Sequence, residues 1–309
     1  MPPNTQEVLH KALAALPDPP PMAGLILRPI SGGDINIAYQ VLTKDNRRWF
    51  CKFNDIAHFP DLFVKEARGL ALLAQPAILR VPLTIACTTL DERQVLVLEW
   101  IHQTPPTGNF WATFGERLAR LHRASPVTFS RSNTVGPRSV TQPQFGLDED
   151  NYMGALPQDN TPDDSWPDFF VERRLEPQLL KAYNSGLLNN TAREHFRRLY
   201  RHLPDFFPPE PPALLHGDLW SGNFLCDDNN QPVLIDPATY FGHRSMDLAM
   251  TTLFGGFDPA FYETYHNSYP LPPNYRGQWE IANLYPLLIH LNLFGEAYKP
   301  NILQIIQRF

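Results

Sequence analysis

Hydrophobic and polar positions change period several times along this chain, and the changes predict its elements. Residues 5–16 carry a short helical spacing that ends in a proline-rich turn. Residues 25–28, 37–43 and 47–53 are strand-like, and Asp45-Asn46 forms the turn before the third. Residues 59–73 return to helical spacing, with Leu62, Phe63, Ala67, Leu70 and Leu73 on one stripe and Glu66 near its middle. Asp61 stands where an acidic group favours a helix N-terminus. Beyond Pro76, residues 83–87 and 95–100 resemble two further strands. The arrangement reads as a small sheet packed with a helix, with Lys52 aimed from a rigid strand.

At Trp100-Ile101-His102-Gln103-Thr104-Pro105-Pro106 the strand pattern gives way to a turn and then to a periodic helix over 111–123. A division there yields two lobes, 1–102 for nucleotide binding and 103–309 for catalysis and acceptor binding, with room for an adenine ring between them. Residues 125–167 read mainly as turns, while 166–182 and 191–203 have helical periodicity and prolines at 208–212 interrupt the next helix. Short apolar segments at 214–216 and 233–235 lead directly into polar groups, which places those groups in loops leaving rigid strands. Helices over 247–253, 260–266 and 279–293 complete an α+β chain of two lobes, the first small and mixed and the second mainly helical.

Composition narrows the reading. The 309 residues, 43% hydrophobic with 20 Phe, 11 Tyr and 6 Trp, are enough to fill two unequal aromatic-rich lobes. Lys and Arg number 26 against 32 Asp and Glu, a net charge of -6, so a nucleotide needs a locally positive pocket and nucleic acid is not an expected partner. Cys51, Cys87 and Cys226 are few, separated and odd in number, which points away from a disulfide framework or metal cluster and towards a reducing compartment. The first five residues lack a basic segment leading into an apolar helix, and longer apolar stretches are interrupted. A soluble cytoplasmic monomer without a membrane partner is the expectation.

The chemistry concentrates in His216-Gly217-Asp218-Leu219-Trp220-Ser221-Gly222-Asn223. Asp218 and Asn223, five positions apart in a glycine-containing loop, can present a carboxylate to a substrate hydroxyl and an amide oxygen to a divalent cation. A surface turn closed by local Asp and Asn hydrogen bonds is the competing reading. Thirteen residues on, Asp236 follows an apolar segment and can ligate the Mg2+ of a nucleotide; alone it would read as a turn residue. Lys52 can hold phosphates while Glu66 orients its ammonium, although an arbitrary Lys/Glu pair faces solvent. Gly32 and Gly33 in Ser31-Gly32-Gly33-Asp34 can admit a phosphate to backbone N–H groups or simply turn a hairpin. Together these residues describe transfer of a phosphoryl group from ATP with Mg2+.

The chain resembles the fructosamine kinase family, also called ketosamine-3-kinase-like. The resemblance is carried by the loop 216–223, by Ile235-Asp236-Pro237-Ala238, and by Gly242-His243-Arg244 through Asp247-Leu248-Ala249-Met250. It extends over Lys52, Glu66, 166–178 and 284–295, nearly the whole chain. It implies a protein-kinase-like fold related to aminoglycoside phosphotransferases and phosphorylation of the sugar 3-hydroxyl of ketosamines such as fructosamines or ribulosamines, on small molecules or glycated amines. It further implies Asp218 as base, Asn223 and Asp236 as metal-facing groups, Lys52 and Glu66 at the phosphates, and Glu99, Trp100 and Ile101 as the adenine hinge. Trp220 would help form the sugar pocket, with a core tryptophan as the alternative. Residues 145–154 and 157–160 resemble an insert bordering the acceptor. Ser245 stands where many relatives carry Glu. Phosphorylation of an aminoglycoside, choline or another hydroxyl compound is the second enzyme reading, and a nonenzymatic nucleotide-binding module the third.

Overall fold

In the computed structural model, which describes residues 5–30, 35–90, 92–124 and 144–309, the N-terminal strands form one antiparallel sheet. Helix α1 (Thr5–Ala14) leads into β1 (Ile26–Ile30), β2 (Ile37–Leu42) and β3 (Arg48–Asp55). Helix α2 (Leu62–Ala74) then precedes β4 (Thr84–Leu90) and β5 (Arg93–Glu99), and the spatial order is β1-β2-β3-β5-β4. The middle strand is therefore β3, held on both sides by ladder hydrogen bonds.

Alternation along β3 decides what each face holds. Trp49, Cys51 and Phe53 pack with Val95 and Val97 against Val8, Leu9, Ala12 and Leu13 of α1. Leu96 and Leu98 instead join Leu62, Phe63, Leu70 and Leu73 of α2 in the core shared with the second lobe. Lys52, between Cys51 and Phe53, is sent to this second face. On α2, Leu62, Leu70 and Leu73 are buried, and Glu66 lies on the same helical stripe, facing the sheet.

Residues 100–109 carry no helix or strand and lead to α3 (Phe110–Arg123). A hairpin comes next, β6 (Asn151–Met153) and β7 (Leu156–Gln158). Beyond it stand α4 (Trp166–Phe169), a π-helical turn over Phe170–Leu175, α5 (Glu176–Asn184) and α6 (Asn190–Phe206). Four short strands, β8 (Ala213–Leu215), β9 (Phe224–Cys226), β10 (Pro232–Leu234) and β11 (Tyr240–Gly242), pair as β8 with β11 and β9 with β10. Helices α7 (Ser245–Leu253), α8 (Pro259–Ser268), α9 (Tyr275–Ala282), α10 (Leu284–Phe294) and α11 (Lys299–Ile306) close the lobe. Helices α3 and α8 approach so closely at Gly115 that a Cβ there would lie 2.1 Å from the Phe261 carbonyl oxygen. Among the described residues no helix is long and apolar enough to cross a membrane.

The two-lobed α+β plan agrees with the residue pattern; β9, β11 and α11 have no counterpart among the expected elements, and two further differences have physical reasons. The single helix expected over 279–293 is two, α9 and α10, parted at Asn283. Pro286 explains the break, because its ring obstructs the carbonyl four residues earlier and it has no N–H to donate. The hairpin β6–β7 lies in a stretch expected as turns; three-residue strands are too short to show a period. The expectation for residues 125–143 lies outside the described residues.

Candidate active site

The two polar loops leave the ends of the short strands, residues 216–223 between β8 and β9 and residues 235–239 between β10 and β11. Asp247 of α7, fully buried, holds the first loop by accepting the backbone N–H groups of His216 and Gly217, each at 2.8 Å. It also faces His122 Nε2 of α3 at 3.2 Å, and His122 Nδ1 lies 2.8 Å from the Tyr265 hydroxyl. Burial alone would raise the pKa of Asp247, but the His122 contact and the donated N–H of Gly217 bring it below its ordinary value.

His216 ties the loops together. The Asp218 N–H donates to His216 Nδ1 at 3.2 Å, while His216 Nε2 lies 2.8 Å from the Ile235 carbonyl oxygen. Only the neutral ring protonated at Nε2 satisfies both contacts. Burial lowers the His216 pKa in the same sense, against the opposing pull of Asp247. Gly217 has φ +86° and touches the second loop, so that a Cβ would meet the Ala238 carbonyl oxygen at 2.0 Å.

Asp218, partly buried, is held by Asn223. Asn223 donates its amide N–H groups to the Asp218 backbone oxygen at 2.8 Å and carboxylate Oδ2 at 2.9 Å. Burial pushes the Asp218 carboxyl up to about 7; the Asn223 hydrogen bond opposes this, and the charges of Asp236 and Asp247 reinforce it.

Lys52 supplies the positive charge. Its Nζ lies 2.8 Å from Glu66 Oε1 and 2.6 Å from Asp236 Oδ1, with the lysine only 4% exposed. Burial would lower its pKa, but Asp236 and Glu66 more than offset this and leave it raised, so the ammonium stays charged. Asp236 has φ +55°, in the left-handed region that a non-glycine residue enters at some cost, and its side chain remains partly exposed to the cleft.

Asn223 and Asp236 offer hard oxygen donors of the kind Mg2+ takes. With the Asn223 amide nitrogen committed to Asp218, the amide oxygen is the atom on that side chain suited to a cation. Among the described residues no group of three or more His, Cys, Asp or Glu is arranged to hold a metal by itself. The donor set fits an ion whose remaining ligands come from phosphates and water.

A cavity of about 690 Å³ brings Lys52, Glu66, Asp218, Trp220, Asn223 and Asp236 together. Glu99, Trp100 and Ile101 are not part of its lining; the Glu99 carboxylate pairs with Arg80, which also bridges to Asp227 of the second lobe. Gly32 and Gly33 lie outside the described residues. Trp220 is exposed at the cavity wall and meets Phe254 edge-on. Sequence reasoning missed His122 as a partner of Asp247, because nothing local relates residues 125 positions apart.

It also missed how the hairpin β6–β7 is secured. Asn151 donates to the Thr239 carbonyl oxygen at 2.9 Å, and Gln158 and Asn160 donate to Asn151 Oδ1 at 2.8 and 2.9 Å. Arg174, fully buried, donates to Asn160 Oδ1 at 2.7 Å and lies over the rings of Tyr240 and Phe169. On the outer side Arg68 of α2 pairs with Asp148 and Glu149, joining the helix that carries Glu66 to the segment lining the cavity at 151–155. Ser245 faces His243 Nδ1 with its hydroxyl at 2.7 Å and its N–H at 3.2 Å, while Arg244 makes two contacts with Glu210.

Comparison with known proteins bears on this arrangement. A family profile described as fructosamine kinase matches residues 22–309. A protein of Lactiplantibacillus plantarum named "Probable ketoamine kinase" is 37% identical over 288 residues, covering 92% of this chain and 94% of its own length. The ketosamine-3-kinase of Mus musculus is 31% identical over 290 residues, covering 90% of this chain and 93% of its own. The solved structure of a candidate fructosamine-3-kinase from Thermobifida fusca superposes with a TM-score of 0.78 at 33% identity, covering 92% of each chain. With its two-lobed α+β kinase fold and a profile match over most of its length, the chain belongs to the fructosamine kinase family.

Proposed function

We propose that this protein transfers the terminal phosphoryl group of ATP to the 3-hydroxyl of a ketosamine, a fructosamine or ribulosamine, free or carried on a glycated amine. The observation that supports this reading most directly is one cavity in which Lys52 joins Glu66 to Asp236 while Asn223 holds Asp218 beside them. The names of the relatives supply the substrate class.

In this reading Asp218 orients the acceptor hydroxyl and takes its proton as the oxygen bonds to phosphorus and the bond from phosphorus to the ADP oxygen breaks. Lys52, kept charged and aimed by Glu66, holds the nucleotide phosphates, and Asn223 and Asp236 hold Mg2+. When bound there, Mg2+ would neutralise charge on the phosphate oxygens. Trp220 borders the sugar, and the adenine edge is assigned to residues 99–101, beyond the lining of the cavity, on the family resemblance alone. A reducing cytoplasm fits the three free cysteines.

The test is an ATP-dependent assay on matched fructosamine, ribulosamine, aminoglycoside and choline acceptors, with the position of phosphate read on the product. Phosphate on the ketosamine 3-oxygen is the expected result. Preferred transfer to the aminoglycoside or to choline overturns the substrate class, and nucleotide binding without any phosphorylated product overturns the enzyme reading.

A further inference from the structure

Five rings form a continuous chain of contacts in the cavity wall. Trp220 meets Phe254 with centroids 5.8 Å apart, and Phe254 meets His290 at 5.1 Å. His290 in turn meets Phe294 at 5.5 Å and Tyr298 at 5.0 Å. All five line the cavity that holds Asp218. Phe254 is 41% and Phe294 50% exposed, in a chain that otherwise buries most of its large rings. Scattered exposed hydrophobics are ordinary, whereas a contiguous set bordering a site marks a binding surface.

Charge is distributed unevenly over the same cavity. Its Lys, Asp and Glu side chains are Lys52, Lys65, Glu66, Asp218 and Asp236, carried by β3, α2 and the two polar loops. The lining contributed by residues 254–298 contains none of these three residue types. A ketosamine has a sugar at one end and an amine substituent at the other. In-line transfer sets the acceptor oxygen between Asp218 and the nucleotide held by Lys52, which leaves the ring-lined wall, free of Lys, Asp and Glu, for the substituent.

We propose, building on the ketosamine kinase reading, that, with Trp220 at the sugar, Phe254, His290, Phe294 and Tyr298 form the subsite for the group attached to the amine. It selects apolar and aromatic substituents over carboxylate-bearing ones. Ring faces bury apolar area and attract the protonated amine, whereas a carboxylate placed there loses water and meets no Lys or Arg of the 254–298 lining. The helix α10 turn that carries Phe294 thereby sets which glycated amines are used.

The experiment compares three fructosamines that differ only in the amine: the adducts of benzylamine, methylamine and glycine. Binding is measured by calorimetry and transfer by kcat/KM. The wild type is expected to favour the benzyl over the glycine adduct by about tenfold or more, and Phe294→Ser to reduce the benzyl-to-methyl ratio by about tenfold. Phe294→Glu, which adds a charge at a half-exposed position, should shift preference towards an adduct of 1,4-diaminobutane with its free ammonium. Equal use of benzyl and glycine adducts, with ratios unmoved in both variants, overturns the subsite and leaves the kinase reading standing. Benzyl-selective binding lost in Phe294→Ser, without phosphate transfer to any adduct, supports the subsite and overturns the kinase reading. A dimer in solution that Phe294→Glu dissociates, with no change in adduct preference, overturns the proposal in favour of a second copy as occupant.

Discussion

Lys52 Nζ lies 2.6 Å from Asp236 Oδ1, although 184 positions separate the two residues, and the same nitrogen reaches Glu66 on α2. The contact joins the N-terminal sheet to a loop of the helical lobe. If Lys52 holds the nucleotide phosphates, Lys52→Met should reduce kcat/KM for ATP by about a hundredfold or more. Asp236→Asn should act more strongly on Mg2+-dependent nucleotide affinity than on affinity measured without the ion. Turnover and ATP binding with and without Mg2+ separate the two effects, and near-normal turnover in either variant rules out the assigned role.

The raised pKa of Asp218 gives activity a pH signature. A general base works ionised, so kcat/KM is expected to fall as pH drops through about 7, by about tenfold per unit below it. Asp218→Asn should retain nucleotide binding, lose about a hundredfold or more of transfer, and show no limb near this pH in the activity that remains. An unchanged limb in the variant would assign the titration to another group.

The same carboxyl links function to stability. Its ordinary value is 3.8 and its folded value about 7, so between these the native state holds the proton that the unfolded chain releases. Stability from this group is therefore lost as pH rises from about 4 to 7. Allowing for the part of Asp218 open to the cleft, Asp218→Asn should be more stable than the wild type at pH 8 by on the order of 2 kcal/mol, and by less at pH 5. Denaturant midpoints at the two values give the comparison.

Asp247 accepts from two backbone N–H groups and faces His122, all buried. Asp247→Ala should cost about 3–5 kcal/mol by leaving these groups unpaired, and should lower turnover because Asp218 comes directly after the released backbone. A thermal shift of only a degree or two would argue that water replaces the carboxylate without loss.

Two glycines with similar positive φ separate strain from collision. Gly217→Ala brings a Cβ to 2.0 Å from the Ala238 carbonyl oxygen, whereas Gly186→Ala, at φ +75°, meets nothing within 4 Å. The second should cost about 1 kcal/mol from backbone conformation alone, and the first more than about 4 kcal/mol. Unfolding measurements on both test whether the two loops must touch through Gly217.

The features that the sequence alone determined were local and periodic. The strand pattern of 47–53 put Lys52 on a rigid strand, and the helical stripe of 59–73 placed Glu66 among Leu62, Leu70 and Leu73, because side-chain direction is dictated by backbone repeat. The spacing within 216–223 singled out Asp218 and Asn223 for the same reason, since five residues in one turn cannot separate far. Tertiary structure decided which groups met: Lys52 with Asp236, His122 with Asp247, Asn151 with Thr239, and Trp220 with the ring run through Phe254 and His290. These partners lie too far apart in the chain for any local pattern to link them. Their contacts arise only when burial of the two lobes closes the loops between them and leaves each buried charge or amide to find its complement.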